Sequence, residues 1–325
     1  MNPGAQQSWW QSLIQWFDAD AAADGASEGS NQGIDWVRIF PFIAVHLMCF
    51  GVIWVGWSGI AVGVAVGLYL LRMFAITGFY HRYFSHRAFK TSRALQFVFA
   101  VIGASSVQRG PMWWAAHHRG HHRYSDTEKD PHSPRGGFWR SHMLWFLYQE
   151  NFATHKDRVR DWAKFPELRA LDRFDLLVPV SLAVALFLFG HWAEAYFPEW
   201  GTSAGQMLIW GFFVSTTALY HGTFTINSLS HKFGRKRFET GDDSLNNPWL
   251  AVITLGEGWH NNHHRYPASA RQGFYWWEYD VTYYLLRILS AVGLVWDLRP
   301  VPERVLEQGR QRSNPAIAQG TDKRP

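Results

Sequence analysis

Cysteine is all but missing. Cys49 is the single one in 325 residues, which excludes an internal disulfide and any thiolate zinc cluster. Charge is missing from four blocks: 39–57, 60–79 apart from Arg72, 176–197 up to His191 and Glu194, and 206–226. No cleavable signal is expected at the N-terminus either. The aromatic stretch WWQSLIQWF, Trp9 to Phe17, is short and followed by Asp18 and Asp20, which reads as an interfacial helix. No internal repeat at a solenoid period is present.

Each apolar block is about 20 residues long, enough to cross a ~30 Å hydrocarbon core as a helix. The mean hydropathy of −0.19 therefore averages very apolar with very polar stretches. Four blocks in two hairpin pairs favour membrane spans over buried helices of a soluble protein. A fifth run, Leu95 to Ala104, is too short and reads as half-buried or re-entrant. Lys and Arg are absent around Ser58 and Gly59 and from Glu194 to Gly205. They are dense between the second and third blocks, among them Arg82, Arg87, Lys90, Arg119 and Arg123. They return after the fourth at Lys232, Arg235, Lys236 and Arg237. The positive-inside rule then places two hairpins entering from the cytoplasm, with both chain ends on that side of the inner membrane.

The expected layout is an N-terminal segment 1–35, whose 21–33 is an Ala/Gly/Ser-rich linker, a membrane domain 36–300 and a polar, disordered tail 301–325. The net charge of +5 and a pI near 9.3 suit anionic headgroups, phosphorylated substrates or acidic proteins. Nucleic acid is not an expected partner.

Sixteen histidines are present, most of them clustered just beyond the expected spans. His118, His121 and His122 stand at i, i+3 and i+4, as do His260, His263 and His264, so each triplet shares one helix face. Asn227 and His231, at i and i+4, also share a face. His81 and His86 lie about 140° apart on an α-helix and share one only if the helix bends or ends between them. Neutral imidazoles bind zinc, copper, iron or nickel. A tetrahedral zinc needs four ligands, whereas nine histidines fit two ions with four or five nitrogens each. His132, His142, His155 and His191 read as ordinary surface or core residues. His46 and His221 lie within spans without a same-face partner.

From Arg72 to Asp297 the chain resembles a bacterial member of the membrane fatty-acyl desaturases of the stearoyl-CoA desaturase family. The motifs are HRYFSH, HRGHH, NSLSH and HNNHH in order, with SDTEKDPHSP after the second box and GEGW before the third. The resemblance implies an all-α integral membrane protein, with four transmembrane helices and a cytoplasmic helical cap holding a di-iron site. It implies that His81, His86, His118, His122 and His263 bind one Fe2+. His121, His231, His260 and His264 would bind the other, with Asn227 reaching it through water. It implies O2-dependent insertion of a cis double bond, delta-9 in type, into a saturated acyl chain carried by coenzyme A or a lipid. Gln108, Trp113, Trp114 and Thr223 are the candidate substrate contacts, and Arg109 a further headgroup contact.

Asp126, Glu128, Asp130, Asp242, Asp243 and Glu257 are candidate partners for the imidazole N–H groups, Asp130 and Glu257 foremost. Animal members of that family carry an Arg-Asp pair directly before the second box. Here Ala116 and His117 stand in its place, which leaves the acyl carrier open. The stretch after Asp297 is too short for a fused haem carrier, so an external ferredoxin-like or flavin-containing donor is expected. A di-iron hydroxylase or alkane monooxygenase is the competing reading. A metal transporter or a haem cytochrome using His46 and His221 fits less well.

Overall fold

The computed structural model describes residues 14, 16–20, 33, 34 and 36–313. Most of the expected interfacial segment 9–17 lies outside the described residues, although Ile14, Trp16 and Phe17 are helical. The linker 21–33, apart from Gly33, and the end of the tail, 314–325, also lie outside them.

The described chain is mostly helical. Its two-stranded sheet pairs Lys90–Thr91 with Val295–Trp296, antiparallel. The chain forms two compact units. The first holds the residues up to Arg72, with 97–117 and 143–221; the second holds 73–96, 118–142 and the residues from Gly222 onward.

Apolar helices build the first unit. Leu177–Tyr196 has a mean hydropathy of 1.6 in its most apolar window, yet only 22% of that window is buried. A core helix of a soluble domain would be hidden, so this exposed apolar surface is matched to lipid. Gly59–Ser85 is the second helix long and apolar enough to cross a bilayer, with a mean hydropathy of 2.0. These two correspond to the blocks 176–197 and 60–79, and the chain is membrane-associated.

The other two blocks differ in form. Ile39–Val55 is a shorter apolar helix that stops before Gly56, whose φ of +65° suits glycine. The block 206–226 lies in a helical run made of Ala204–Gln206, Met207–Val214 and Ser215–Ser228. Its second half is less apolar, and the two residues that open it, Ser215 and Thr216, bind Arg72. That guanidinium is fully buried and donates to the Leu68 and Ser105 carbonyls, Thr216 Oγ1 (2.8 Å) and Ser215 Oγ (2.6 Å). The expected re-entrant run is the helix Arg93–Ala104.

In the second unit, Ala75–Ser85 is wound as a π-helix, with all of its residues buried. A separate core gathers Phe238, Phe274, Tyr275 and Val305, with Tyr266, Val301 and Leu306 against it. This corrects the disordered tail over part of its length, since Glu303–Ser313 is a helix. Its composition is polar, but Val305 and Leu306 supply the apolar side that docks it, and Glu303 pairs with Arg310 at 3.0 Å.

Candidate metal centre

The π-helical winding answers the His81 and His86 geometry. An i→i+5 bond runs from the His86 N–H to the His81 carbonyl at 3.3 Å. Residues five apart are thereby stacked, and the two ring centroids lie 5.0 Å apart. The second triplet rides on the helix Pro111–Tyr124 and the third on the short helix His260–Arg265.

Two asparagines pin that short helix from its other side. Asn261 Oδ1 accepts the Arg237 and Phe238 N–H groups at 2.8 and 2.7 Å. Asn262 donates to the Gln272 carbonyl and to Glu278 Oε2 (2.8 Å), while its Oδ1 accepts from Asn246 and Arg237. The preceding GEGW motif is a close-approach device. A Cβ on Gly258 would stand 2.1 Å from the Ala251 nitrogen, and Gly256, at φ +127°, passes against Asp280. Glu257 is thus directed inward.

The structure brings nine of the ten candidate ligands into two groups. His81, His86, His118, His122 and His263 form one, and His121, His231, His260 and His264 the other. Within each, one ring nitrogen per residue lies within 4.8 Å of the rest. Asn227 is half-buried near the end of Ser215–Ser228, four residues before His231.

A carboxylate holds one Nδ1 in each of four rings. His121 Nδ1 lies 2.9 Å from Asp130, His231 Nδ1 3.0 Å from Asp126 and His264 Nδ1 2.7 Å from Asp242. His81 Nδ1 is bonded to Glu257. Burial alone would push these carboxyls up. The facing imidazoles, with Arg82 beside Glu257, outweigh it and keep all four below the ordinary range. Burial, reinforced by neighbouring imidazoles, keeps His86, His118, His122, His260 and His263 well below the usual histidine range. It brings His121 down to about 3. These rings are neutral at pH 7, the form that ligates metal.

That arrangement fits metal cations. With Nδ1–H committed to Asp130 and Asp242, the Nε2 atoms of His121 and His264 both carry lone pairs, and they face each other at 3.4 Å. Two buried lone pairs at that distance repel unless a cation lies between them. Other close Nε2 pairs are His81 with His263 (3.0 Å), His86 with His118 (2.8 Å), His122 with His263 (2.9 Å) and His231 with His260 (3.1 Å). The donor set is all imidazole nitrogen, which suits iron, zinc, copper or nickel.

Several neighbours were hidden from sequence reasoning. Arg82 counts there as a cytoplasmic surface charge. It is instead 1% exposed, bonded to Glu257 Oε1 (2.9 Å), Asp280 and the Ala270 carbonyl. Nothing in its local sequence marks it. Asp126, at φ +59°, and Asp242 join Asp130 and Glu257 as imidazole partners. Glu128 is exposed, and Asp243 pairs with Arg135. His132 is buried, its ring centroid 4.3 Å from that of His121, and with His121 and Asp130 it forms a third possible ligand group, which shares His121 with the second. His142 is buried on Ser228, and His191 is exposed.

Of the substrate candidates, Trp113 is buried, stacks on Trp145 and donates its indole N–H to the Asn151 carbonyl at 2.9 Å. Its backbone N–H donates to Asp172 at 2.7 Å. Gln108, Trp114 and Thr223 are half-buried. Arg109 pairs with Asp175.

A sequence model described as fatty acid desaturase matches residues 40–297. The palmitoyl-monogalactosyldiacylglycerol delta-7 desaturase of Arabidopsis thaliana chloroplasts is 41% identical over 74% of this chain, which spans 62% of that protein's length. The sn-1 stearoyl-lipid 9-desaturase of Anabaena variabilis is 36% identical over 82% of this chain and 94% of its own. The acyl-CoA C20 delta5-desaturase of Anemone leveillei is 35% identical over 84% and 86% respectively.

Proposed function

The chain belongs to the fatty acid desaturase family, and from that premise we propose that it inserts a cis delta-9 double bond into a saturated long-chain acyl group on a membrane lipid or coenzyme A. It is an oxidoreductase. The observation that carries the proposal is the pair of imidazole clusters with nitrogen lone pairs turned toward one another.

Two iron ions bound there would supply O2 activation and the oxidation of the acyl chain. The reaction balances when one CH2–CH2 unit, one O2, two protons and two electrons give one CH=CH unit and two waters. An external donor, ferredoxin-like or flavin-containing, supplies the electrons.

The protein's own residues prepare this chemistry. We assign His81, His86, His118, His122 and His263 to one ion, and His121, His231, His260 and His264 to the other, with Asn227 acting through water. Asp126, Asp130, Asp242 and Glu257 hold the Nδ1 protons, which fixes the tautomer and ring orientation. Arg82 keeps Glu257 ionised and in place. A methylene offers no acid–base handle, so substrate contacts must choose the reacting carbons. Gln108, Trp113, Trp114 and Thr223 are proposed for that role.

The finer topology is also a proposal. Two further crossings, at 39–57 and 206–226, would join the two long apolar helices, with the histidine boxes and both chain ends on the cytoplasmic side of the inner membrane. The Lys and Arg asymmetry supports it.

Expression in a host lacking the activity, followed by fatty-acid profiling, tests the reading. Wild type is expected to yield a new monounsaturated acid, and His263→Ala none. A product that survives the substitution overturns the site assignment. An acid that gains one oxygen, rather than losing two hydrogens, moves the reading to a di-iron hydroxylase.

A further inference from the structure

We propose that the cleft lined by Arg235, Lys236, Arg237, Arg312, Trp249 and Trp259 docks an acidic one-electron carrier protein, and that electrons enter through Trp259. The inference rests on the proposed function, which requires electrons from outside the chain.

The cleft measures about 1140 Å³ and lies within the second unit. Four cations line it against two carboxylates, Glu239 and Glu278. Glu278 is fully buried and taken up by Arg237, Asn262 and the Tyr275 N–H, so it adds little negative surface. Glu239 is shared between Lys236 at 3.6 Å and Arg312 at 3.3 Å. Arg235 is exposed, and its backbone is held by a two-way bridge to Asn246 at 2.9 Å in each direction. The opening is therefore net positive on a fixed frame. Such a surface speeds encounter with an acidic partner more than it tightens the complex. Fast, weak encounters suit a carrier that must leave after each transfer.

The floor explains why this surface serves electron delivery. Trp259 is 7% exposed, and its indole N–H donates to the Tyr279 carbonyl at 2.7 Å. It directly precedes His260, assigned to one ion. Its carbonyl accepts the backbone N–H of His263, assigned to the other, at 3.1 Å. The cleft thus ends on an aromatic ring joined by short bonded paths to both clusters, along which an electron can tunnel without oxidising or reducing the ring itself. Trp249, 80% exposed at the rim, offers the aromatic contact typical of protein interfaces. Each docking event oxidises the carrier by one electron and reduces the centre by one, with no bond made or broken. Two events supply the pair that one double bond requires.

The test uses the full-length, iron-loaded protein with a reduced plant-type [2Fe–2S] ferredoxin as the probe. Arg235→Glu with Arg312→Glu should raise KM for ferredoxin about tenfold or more and flatten its salt dependence. Turnover driven by dithionite and methyl viologen should stay at the wild-type rate. Arg235→Lys with Arg312→Lys should keep the wild-type KM. An unchanged KM in the reversed variant overturns the proposal, as does an equal fall on both electron routes. Weaker binding to phosphatidylglycerol vesicles at unchanged KM would make the cleft a headgroup site and also overturn it. If the wild type forms no unsaturated acid on either route, the proposed function falls as well.

Discussion

Two arginines ten residues apart on the helical run Gly59–Ser85 are both hidden from solvent, and they are held in opposite ways. Arg72, in the first unit, is surrounded by neutral dipoles: two carbonyls and two hydroxyls. Arg82, in the second, sits between the carboxylates of Glu257 and Asp280. The first unit is apolar and tolerates a cation by solvating it. The second keeps ion pairs, and there Glu257 also holds His81, a proposed metal ligand. A buried charge is therefore not one kind of feature; its partners decide whether it supports a helix contact or a reactive centre.

Arg82→Met should give the largest effect. It strands two buried carboxylates and costs about 3–5 kcal/mol, the range for breaking a buried pair. It should also lower iron content, measured by metal analysis of the purified protein alongside thermal unfolding. Arg72→Met should cost less, about 1–3 kcal/mol, because only neutral groups lose a partner. Iron content should hold at the wild-type level, and a matching loss of iron would erase the contrast. Asp126→Asn keeps a residue tolerant of positive φ but weakens the anchor on His231. Metal affinity should fall about 10- to 100-fold, read by chelator competition, and the metal-free melting temperature should fall as well, because the Asp126 carboxylate also bonds the buried His231 ring and the Asp243 N–H.

The pH dependence draws the same comparison, because the two units respond in opposite directions. In the second unit the His121 pKa is lowered from 6.5 to about 3, by burial first. The folded state then binds fewer protons than the unfolded one across that window. The metal-free protein should lose stability as pH falls from about 6.5 toward 3. In the first unit, burial raises Asp172 from 3.8 to about 6, against the pull of Thr154 and the Trp113 N–H. There the folded state binds more protons, and stability should fall as pH rises through that window. Asp172→Asn should remove the second slope and leave the first, checked by melting temperature against pH.

The legible part of the site was composition at short range. The triplets at i, i+3 and i+4 announce a shared face, and their number announces more than one ion. Two long apolar helices stand out for the same local reason. What stayed illegible had no local signature. Arg82 looks like any basic residue beyond a span, yet its partners lie 175 and 198 positions away. The helix Glu303–Ser313 looks like a solvated tail until Val305 and Leu306 meet the aromatic core around Tyr275. The asparagine pair in HNNHH looks like a spacer, but it anchors the third triplet through Arg237, Phe238, Gln272 and Glu278.

The sequence by itself determined the chemistry on offer: nitrogen ligands without thiolates, apolar lengths that match a bilayer, and acids placed near the histidine boxes. These follow from residue type and periodicity, which act within a few residues. Only the tertiary structure decided how the offer is used. It wound 75–85 as a π-helix, so that the His86 N–H reaches the His81 carbonyl and the two rings turn to one cluster. It divided each triplet between two nitrogen groups and matched four rings to four carboxylates. Those choices depend on distant segments meeting in a buried space, where each polar group must find its partner, and no local pattern encodes that meeting.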